Sequence, residues 1–419
     1  MTTAIRNYLV FIWRCGRIAF VGDWRYYAWM GLLTMISLLG LNAYLKQFVH
    51  GLIVTGMSDE VSWGVYIANF TFLVGVAAAA AMMVIPVYIY GRTELHDLVI
   101  FGELLAVAAI IMCLAFVTVD LGRPDRFWHL MPGLGQLNFP ASMLSWDVIV
   151  LNGYLLLNVH ICGYLLYCRY QGRKPAKWFY IPFVFLAIGW AISIHTVTAF
   201  LYVGLGGRPF WNSAVVGPRF LASAFTAGPA LIILALQVIR RVTTYFVSDA
   251  ALLTLRSIVQ VSMLINVFLL LNEVFKEFYS GNVHVASAKY LFLGLHGHHA
   301  LVPWIWTAVL FNVVAMVLLV LPLTKSLKWL NLTCILSIVG IWIEKGMGLV
   351  IPGFIPTPLG AMIEYSPSLN ETLVCFGIWA FGLLCYTIFL RMAVPILQGR
   401  LSSAGMGPAT SNVAGQHTH

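Results

Sequence analysis

Charge is what this sequence has least of: Asp, Glu, Lys and Arg make up 9% of its 419 residues, and only 15 residues are acidic. A chain so poor in charge, with 61% hydrophobic side chains, has too little polar surface to cover a water-soluble globule. The cysteines inform by what they omit. Of the seven, Cys113, Cys162, Cys334, Cys375 and Cys385 stand singly in apolar runs with no C-x-x-C pair among them. No C-x-x-C-H occurs either, so covalent haem and clustered iron–sulfur ligation are excluded as recognisable motifs. Lone buried thiols act as small hydrophobes. Electrons that reach this chain must be carried onward by a partner.

What is abundant is apolar length. Mean hydropathy is +0.89, and apolar runs recur at about 26–53, 63–90, 98–119, 142–168, 178–205, 219–239, 256–278, 288–321, 329–350 and 371–395. Each reaches the roughly 20 residues that a helix needs to cross a bilayer. The spacing predicts an all-α integral membrane protein with about ten transmembrane helices in one membrane domain, residues 26–395. Residues 1–25 carry Arg6, Arg14, Arg17 and Arg25 around a short apolar patch, Tyr8 to Trp13, without a small-residue cleavage pattern. They predict an interfacial amphipathic helix rather than a removed signal peptide. Residues 396–419, rich in Ser, Gly, Ala and His, predict a disordered tail.

Basic residues predict the orientation. With the N-terminus inside, Arg123, Arg126, Arg208, Arg219, Lys276 and Lys289 fall outside, Lys46 and Lys345 fall within spans, and the other sixteen of the 24 fall inside. Lys and Arg collect on the cytoplasmic side of short loops, so both termini are predicted cytoplasmic, in a bacterial inner membrane. The net charge of +9 then reflects topology, not a nucleic-acid surface.

That orientation puts Asp120-Leu121-Gly122-Arg123-Pro124-Asp125-Arg126-Phe127-Trp128-His129 on the outer face. Charges crowded beside a bilayer are costly to desolvate and are tolerated where they pair or handle a ligand; a capping loop that fixes topology is the plainer reading. Asp120 is expected to pair with Arg123. Ionisable groups inside predicted spans are Lys46, Glu103, Asp147, Glu273, Lys276, Glu344 and Lys345, with His160 and His195. Glu344 and Lys345 are adjacent and point about 100° apart on a helix, too far to neutralise each other. Glu273 and Lys276, at i and i+3, are expected to form an acid–base pair on one face.

Asp147, at the outer start of the fourth span, can accept a proton. His195 lies near the middle of the fifth span with Thr198 on its face, and its imidazole can donate from one nitrogen while accepting at the other. A hydrogen bond to a neighbouring helix is the structural alternative for His195. A quinone suits such chemistry: its tail dissolves in lipid, its ring needs apolar walls, and its carbonyls need a donor and a proton exchanger. Composition alone does not choose a quinone over a transported solute.

Three ordered segments carry a resemblance: Ser62-Trp63-Gly64-Val65-Tyr66-Ile67-Ala68-Asn69-Phe70 with Gly75, then Asp120-Leu121-Gly122-Arg123-Pro124 with Arg126-Phe127-Trp128-His129, then Ser145-Trp146-Asp147. His195-Thr196-Val197-Thr198-Ala199-Phe200 and Gly206-Gly207-Arg208-Pro209-Phe210-Trp211-Asn212 follow. Together they resemble the NrfD/PsrC family of quinone-interacting membrane subunits, from about residue 26 to 395, in its longer ten-helix branch and nearest to the Dsr type of sulfur metabolism.

The resemblance implies two four-helix bundles with flanking helices and a quinone pocket near the outer surface of the first bundle. Tyr66, Asn69, Asp120, Arg123, Asp147 and His195 would border the pocket, with Asp147 and His195 exchanging protons and Glu103 and Glu344 on a proton path inward. The cofactor would be menaquinone or ubiquinone, with no metal, covalent haem or iron–sulfur cluster in this chain. Partners would be a periplasmic iron–sulfur protein, a c-type cytochrome, a membrane protein carrying haem b and a cytoplasmic iron–sulfur protein. The family often has Gly after Ser-Trp, where this chain has Asp147. Phe72-Leu73-Val74-Gly75-Val76-Ala77 and Phe225-Thr226-Ala227-Gly228-Pro229-Ala230 share an F-x-x-G-x-A pattern consistent with duplicated bundles. Two other readings stay open at this stage: a proton-coupled secondary transporter using the buried acids, and a membrane cytochrome holding a non-covalent haem b on two of the span histidines.

Overall fold

The computed structural model describes residues 2–131, 133–281 and 285–406. An N-terminal helix, α1 (Thr2–Ala19), precedes ten helices long and apolar enough to cross a membrane. These are α2 (Trp24–His50), α3 (Val65–Tyr88), α4 (Thr93–Asp120), α5 (Met143–Tyr170), α6 (Lys177–Val203), α7 (Val216–Val242), α8 (Asp249–Ser280), α9 (Val302–Val320), α10 (Leu327–Gly353) and α11 (Leu369–Leu397). Nine of the ten runs in the sequence coincide with one span to within a few residues. The run 288–321 does not: a short helix, Val285–Phe292, stops before α9 begins. Gly294, His296 and Gly297 take left-handed φ values of 82°, 50° and 89°, which a right-handed helix cannot continue through. Pro303 then opens the first turn of α9, where its missing N–H costs nothing.

Helices α3 to α6 pack in a closed ring, α3 on α4, α4 on α5, α5 on α6 and α6 on α3. Helices α7 to α10 close a second ring in the same way. This is the pair of four-helix bundles that the resemblance implies. Helices α2 and α11 pair with each other and lean on α4. Gly40 and Gly377 face each other at their crossing, where a Cβ on Gly40 would lie 2.5 Å from the Gly377 Cα. Burial grades outward: 83% of the apolar window of α3 and of α4 is buried, against 17% for α2. The interior is therefore built by α3 and α4 with α7 and α10 of the second bundle, 72% and 67% buried, and α2 presents its flank to lipid.

The two F-x-x-G-x-A segments meet. A Cβ on Gly228 of α7 would lie 2.7 Å from the Ala79 Cβ of α3, and one on Gly75 of α3 would lie 3.4 Å from the Ala224 Cα of α7. Small residues let membrane helices approach closely and gain packing where no hydrophobic drive exists between them. The repeated motif is thus the seam that joins the bundles.

On the face that holds α1, Arg14 donates to the Tyr170 hydroxyl at 3.0 Å and to Ser402 O at 3.1 Å. The segment after α11, expected to be disordered from residue 396, forms a short hairpin, Leu401–Ser402 with Gly405–Met406, and Ser403 N donates to Tyr170 O at 2.8 Å. These hydrogen bonds give the backbone partners that a disordered tail would leave to water. Residues 407–419 lie outside the described residues.

Candidate functional site

Helix α4 ends at Asp120 because Leu121 turns extended, at φ −67° and ψ 128°. The turn sends the two charges of the D-L-G-R pair in opposite directions. Asp120 faces inward, and its Oδ1 is buried without a hydrogen-bond partner. Arg123 faces out and grips Asp125, Nε to Oδ1 and Nη2 to Oδ2, both at 3.0 Å. The expected Asp120–Arg123 pair is therefore replaced by Arg123–Asp125. Hydrogen bonds from Arg123 hold the Asp125 carboxyl below the usual carboxylate range. The loop beyond exposes Phe127, Trp128, Met131 and Phe139.

Tyr66 and Asn69 sit one turn apart on α3, and both are engaged. The Tyr66 hydroxyl donates to Gln47 Oε1 at 2.7 Å, and Gln47 Nε2 donates to Val119 O at 2.6 Å, tying α2 and α3 to the last turn of α4. Asn69 Oδ1 accepts from Trp342 Nε1 at 3.0 Å and from Trp379 Nε1 at 2.9 Å, which fills both its lone pairs. Asn69 thereby joins α3 to α10 and α11 as a strut. Nearby, Glu371 closes a capping box with Ser368 and takes further bonds from Gly56 N at 2.6 Å and the Tyr365 hydroxyl at 2.8 Å. The S-x-x-E spacing of 368–371 is its signal in the sequence.

Deeper in the first bundle, Asp147 of α5 is 2% exposed, and its Oδ1 accepts from Thr198 Oγ1 of α6 at 3.1 Å. Asp120 and Asp147 both lie within electrostatic reach of Tyr202. The Tyr202 hydroxyl is 2.5 Å from Thr71 Oγ1, which itself donates to Ile67 O at 2.7 Å. One turn from Thr198, His195 Nδ1 lies 2.8 Å from Ala191 O. A carbonyl oxygen only accepts, so Nδ1 carries the hydrogen and Nε2 is left as an acceptor. That Nε2 is buried and unpartnered. Glu103 lies lower on α4, 1% exposed, with Oε2 also unpartnered. The structure thus brings Asp147 and His195 together about Thr198, whereas Asp120 lies at the end of α4, Arg123 belongs to the outer loop and Glu103 stands apart.

The second bundle holds a network that the sequence did not disclose. Arg219 of α7, read from sequence as an outer residue, is 5% exposed inside the bundle. It pairs with Glu273 of α8 and donates from Nη2 to Glu344 Oε1 at 2.7 Å. Glu344 Oε2 accepts from Asn312 of α9 at 2.6 Å and from Asn266 of α8 at 3.3 Å. The expected Glu273–Lys276 pair does not form. Glu273 points into the bundle toward Arg219, and Lys276 instead reaches Glu277 at 2.8 Å. Lys345 does not pair with Glu344, and its Nζ lies 4.8 Å from the Phe220 ring centroid. Glu273 and Glu344 stood out in the sequence as ionisable groups inside spans, and Asn266 and Asn312, polar amides in apolar spans, were the signal left unread.

An open groove of about 670 Å³ runs along α2 from Phe20 to Asn42. It is an apolar face of the outermost span and holds none of these residues.

The fold and its interior define a ten-span membrane protein that buries acids, an imidazole and an ion-pair network. Among the described residues no group of His, Cys, Asp and Glu is arranged to hold a metal ion. Residues 53–356 match the polysulphide reductase NrfD family, and the chain belongs to that family. It is similar to an Hdr-like menaquinol oxidoreductase integral membrane subunit of Archaeoglobus fulgidus, 24% identical over 88% of this chain and 93% of that one. It is also similar to a putative membrane component of the dimethyl sulfoxide reductase of Halobacterium salinarum, 26% identical over 78% and 77%. A component of the selenate reductase of Mesobacillus selenatarsenatis is 22% identical over 87% and 93%.

Proposed function

We propose that this chain is the quinone-interacting membrane subunit of a multi-subunit oxidoreductase. It exchanges electrons between the membrane quinone pool and an iron–sulfur partner on the outer face. The carrying observation lies inside the first bundle, where buried Asp147 accepts from Thr198 and His195, one turn from Thr198, holds a buried Nε2 without a partner. Buried unpaired polar atoms are costly and persist where they serve chemistry. The relatives named for menaquinol, dimethyl sulfoxide and selenate support a quinone-linked redox role.

A bound quinol supplies two electrons and two protons. Asp147 takes the two protons one after the other at its carboxylate, held in register by Thr198, and passes each on to His195, while the two electrons leave to the iron–sulfur partner. Asp120 and Tyr66 border the pocket mouth, and Asn69 positions Tyr66 by fixing α3. Arg123 and the exposed aromatic loop 127–139 form the rim on which the iron–sulfur protein docks. Menaquinol is the favoured quinone on the Archaeoglobus relative's name, with ubiquinone the alternative. Both termini lie on the cytoplasmic side of a bacterial inner membrane, a reading supported by the basic-residue bias and sharpened by the burial of Arg219 inside the second bundle.

Within the family we propose a DsrP-type subunit of the sulfur-metabolism Dsr complex. Its partners there would be a DsrO-like periplasmic iron–sulfur protein, a DsrJ-like cytochrome c, a DsrM-like haem b membrane protein and a DsrK-like cytoplasmic iron–sulfur protein. The test is Asp147→Asn in the purified complex. Thr198 can still donate to the amide oxygen, so assembly should be kept while quinol turnover falls at least tenfold. Unchanged turnover would remove Asp147 from the mechanism.

A further inference from the structure

The polar groups of the two bundles approach each other at one place, the seam made by the paired F-x-x-G-x-A segments. A small cavity of about 10 Å³ lies there, where Thr71 of α3, His195 of α6, Ser223 of α7 and Lys345 of α10 meet a wall otherwise made of Phe72, Gly75, Phe220, Ala224, Ala227 and Ile341. That volume is about the space of a single water molecule. The wall is mostly apolar, so a water there is held by its few polar groups. His195 Nε2 is an unpartnered acceptor. Lys345, 3% exposed, forms no ion pair among the described residues. The Ser223 hydroxyl donates to the carbonyls of Arg219 and Phe220 at 2.8 and 2.9 Å, leaving its oxygen lone pairs to accept. A buried water typically makes about three hydrogen bonds to groups that would otherwise go unsatisfied.

We propose that one water bound between His195 and Lys345 is the junction through which protons pass between the bundles. The inference rests on the quinone reading of the first bundle and extends it. On the first-bundle side stand His195, Thr198 and Asp147. On the other stand Lys345 and, on the neighbouring residue of the same helix, Glu344 with Arg219, Glu273, Asn266 and Asn312. In the transfer, protonated His195 gives its Nε2 proton to the water as the water gives one of its own to the unprotonated Lys345 amine. One N–H bond breaks on His195, one forms on Lys345, the water is regenerated, and no electrons move. Lys345 is a positioning and relay residue that does not touch the quinol.

The experiment uses the whole complex in sealed vesicles, with a reduced naphthoquinone as donor, an electron-acceptor dye, and a pH indicator. In Lys345→Met, protons moved per electron should fall by at least half, while turnover with an uncoupler present stays within twofold of wild type. Ser223→Val fills the cavity without altering a titratable group, so it should give the same loss and keeps the test open where Lys345→Met fails to assemble. Lys345→His should restore part of the lost ratio. A wild-type ratio in both Lys345→Met and Ser223→Val overturns the junction. A more than tenfold loss of uncoupled turnover in Lys345→Met also overturns it, since the lysine would then act in the quinol chemistry. A wild-type complex that oxidises quinol without moving protons beyond those the quinol releases overturns the junction and leaves the quinone reading standing. Absence of quinol oxidation in the wild type overturns the quinone reading itself.

Discussion

Replacing Arg219 tests the second-bundle network most directly. In Arg219→Met the side chain keeps much of its length and loses its charge, so Glu273 and Glu344 lose their shared cation. The two acids are not equally exposed to that loss. Glu344 keeps the amide donors of Asn312 at 2.6 Å and Asn266 at 3.3 Å, whereas Arg219 is the ion-pair partner of Glu273. Breaking a buried pair by removing one member costs about 3–5 kcal/mol. The cost of protonation agrees: neutralising one carboxyl of ordinary pKa, about 4.3, at pH 7 takes about 3.7 kcal/mol at 1.36 kcal/mol per pH unit. One orphaned acid therefore sets the scale. Arg219→Met should lose about 3–4 kcal/mol in reversible unfolding of the detergent-solubilised chain. Adding Glu273→Gln should recover more than half, and adding Glu344→Gln should recover less. The deficit should also shrink as pH falls toward 5, because proton uptake by the orphaned acid becomes cheaper. A loss under about 1 kcal/mol, the range of exposed pairs, or strict additivity of Arg219→Met with Glu273→Gln, would refute the account.

Two further predictions concern packing and a loop. Gly228→Val should push α7 from α3, since even a Cβ would sit 2.7 Å from the Ala79 Cβ; overpacking of about 1–3 kcal/mol should appear as lower thermal stability, while Gly217→Ala, with open space around it, should be silent. Glu364 accepts from Ala300 N at 3.0 Å and pairs with His298 at 3.2 Å. Burial pushes its carboxyl up, but these bonds together outweigh that and hold it below its ordinary value. Its hold on the 296–300 loop is thus fully present above the unfolded carboxylate value, about 4.3, and is lost as pH falls through the lower folded value. Protection of the Ala300 amide, taken against its intrinsic exchange rate at each pH, should fall across that window and not above it; protection unchanged down to pH 3 would contradict the assignment.

The spans were legible because membrane helices advertise themselves by length and apolarity, as the run 142–168 against Met143–Tyr170 illustrates. The break inside 288–321 was not, because backbone dihedrals at Gly294, His296 and Gly297 leave the apolar composition unchanged. Of the candidate site, Asp147 and His195 were readable as titratable groups in spans, and the Thr198 hydroxyl that meets Asp147 was readable as a neighbour of His195. Asp120 and Arg123 were misjoined since proximity in sequence says nothing about which way a chain leaves a helix end. Arg219 was misplaced for a related reason: an arginine after a proline at a span's start reads as a water-facing flank. Only the convergence of α7, α8, α9 and α10 shows that Asn266 and Asn312 turn toward the same carboxylate.

The duplication is shared in packing and divided in chemistry. Both bundles use the same F-x-x-G-x-A segment at the seam, so close helix approach is common to the two halves. Their buried charges are handled in opposite ways. The second bundle sets Arg219 between Glu273 and Glu344 and adds two amides, an arrangement that fixes protonation by compensating it. The first bundle buries Glu103, Asp147 and His195 with no basic ion-pair partner among the described residues. An acid held that way changes protonation when a neighbouring group offers or withdraws a proton, and a compensated one resists it. That asymmetry is what favours placing the proposed quinol chemistry in the first bundle.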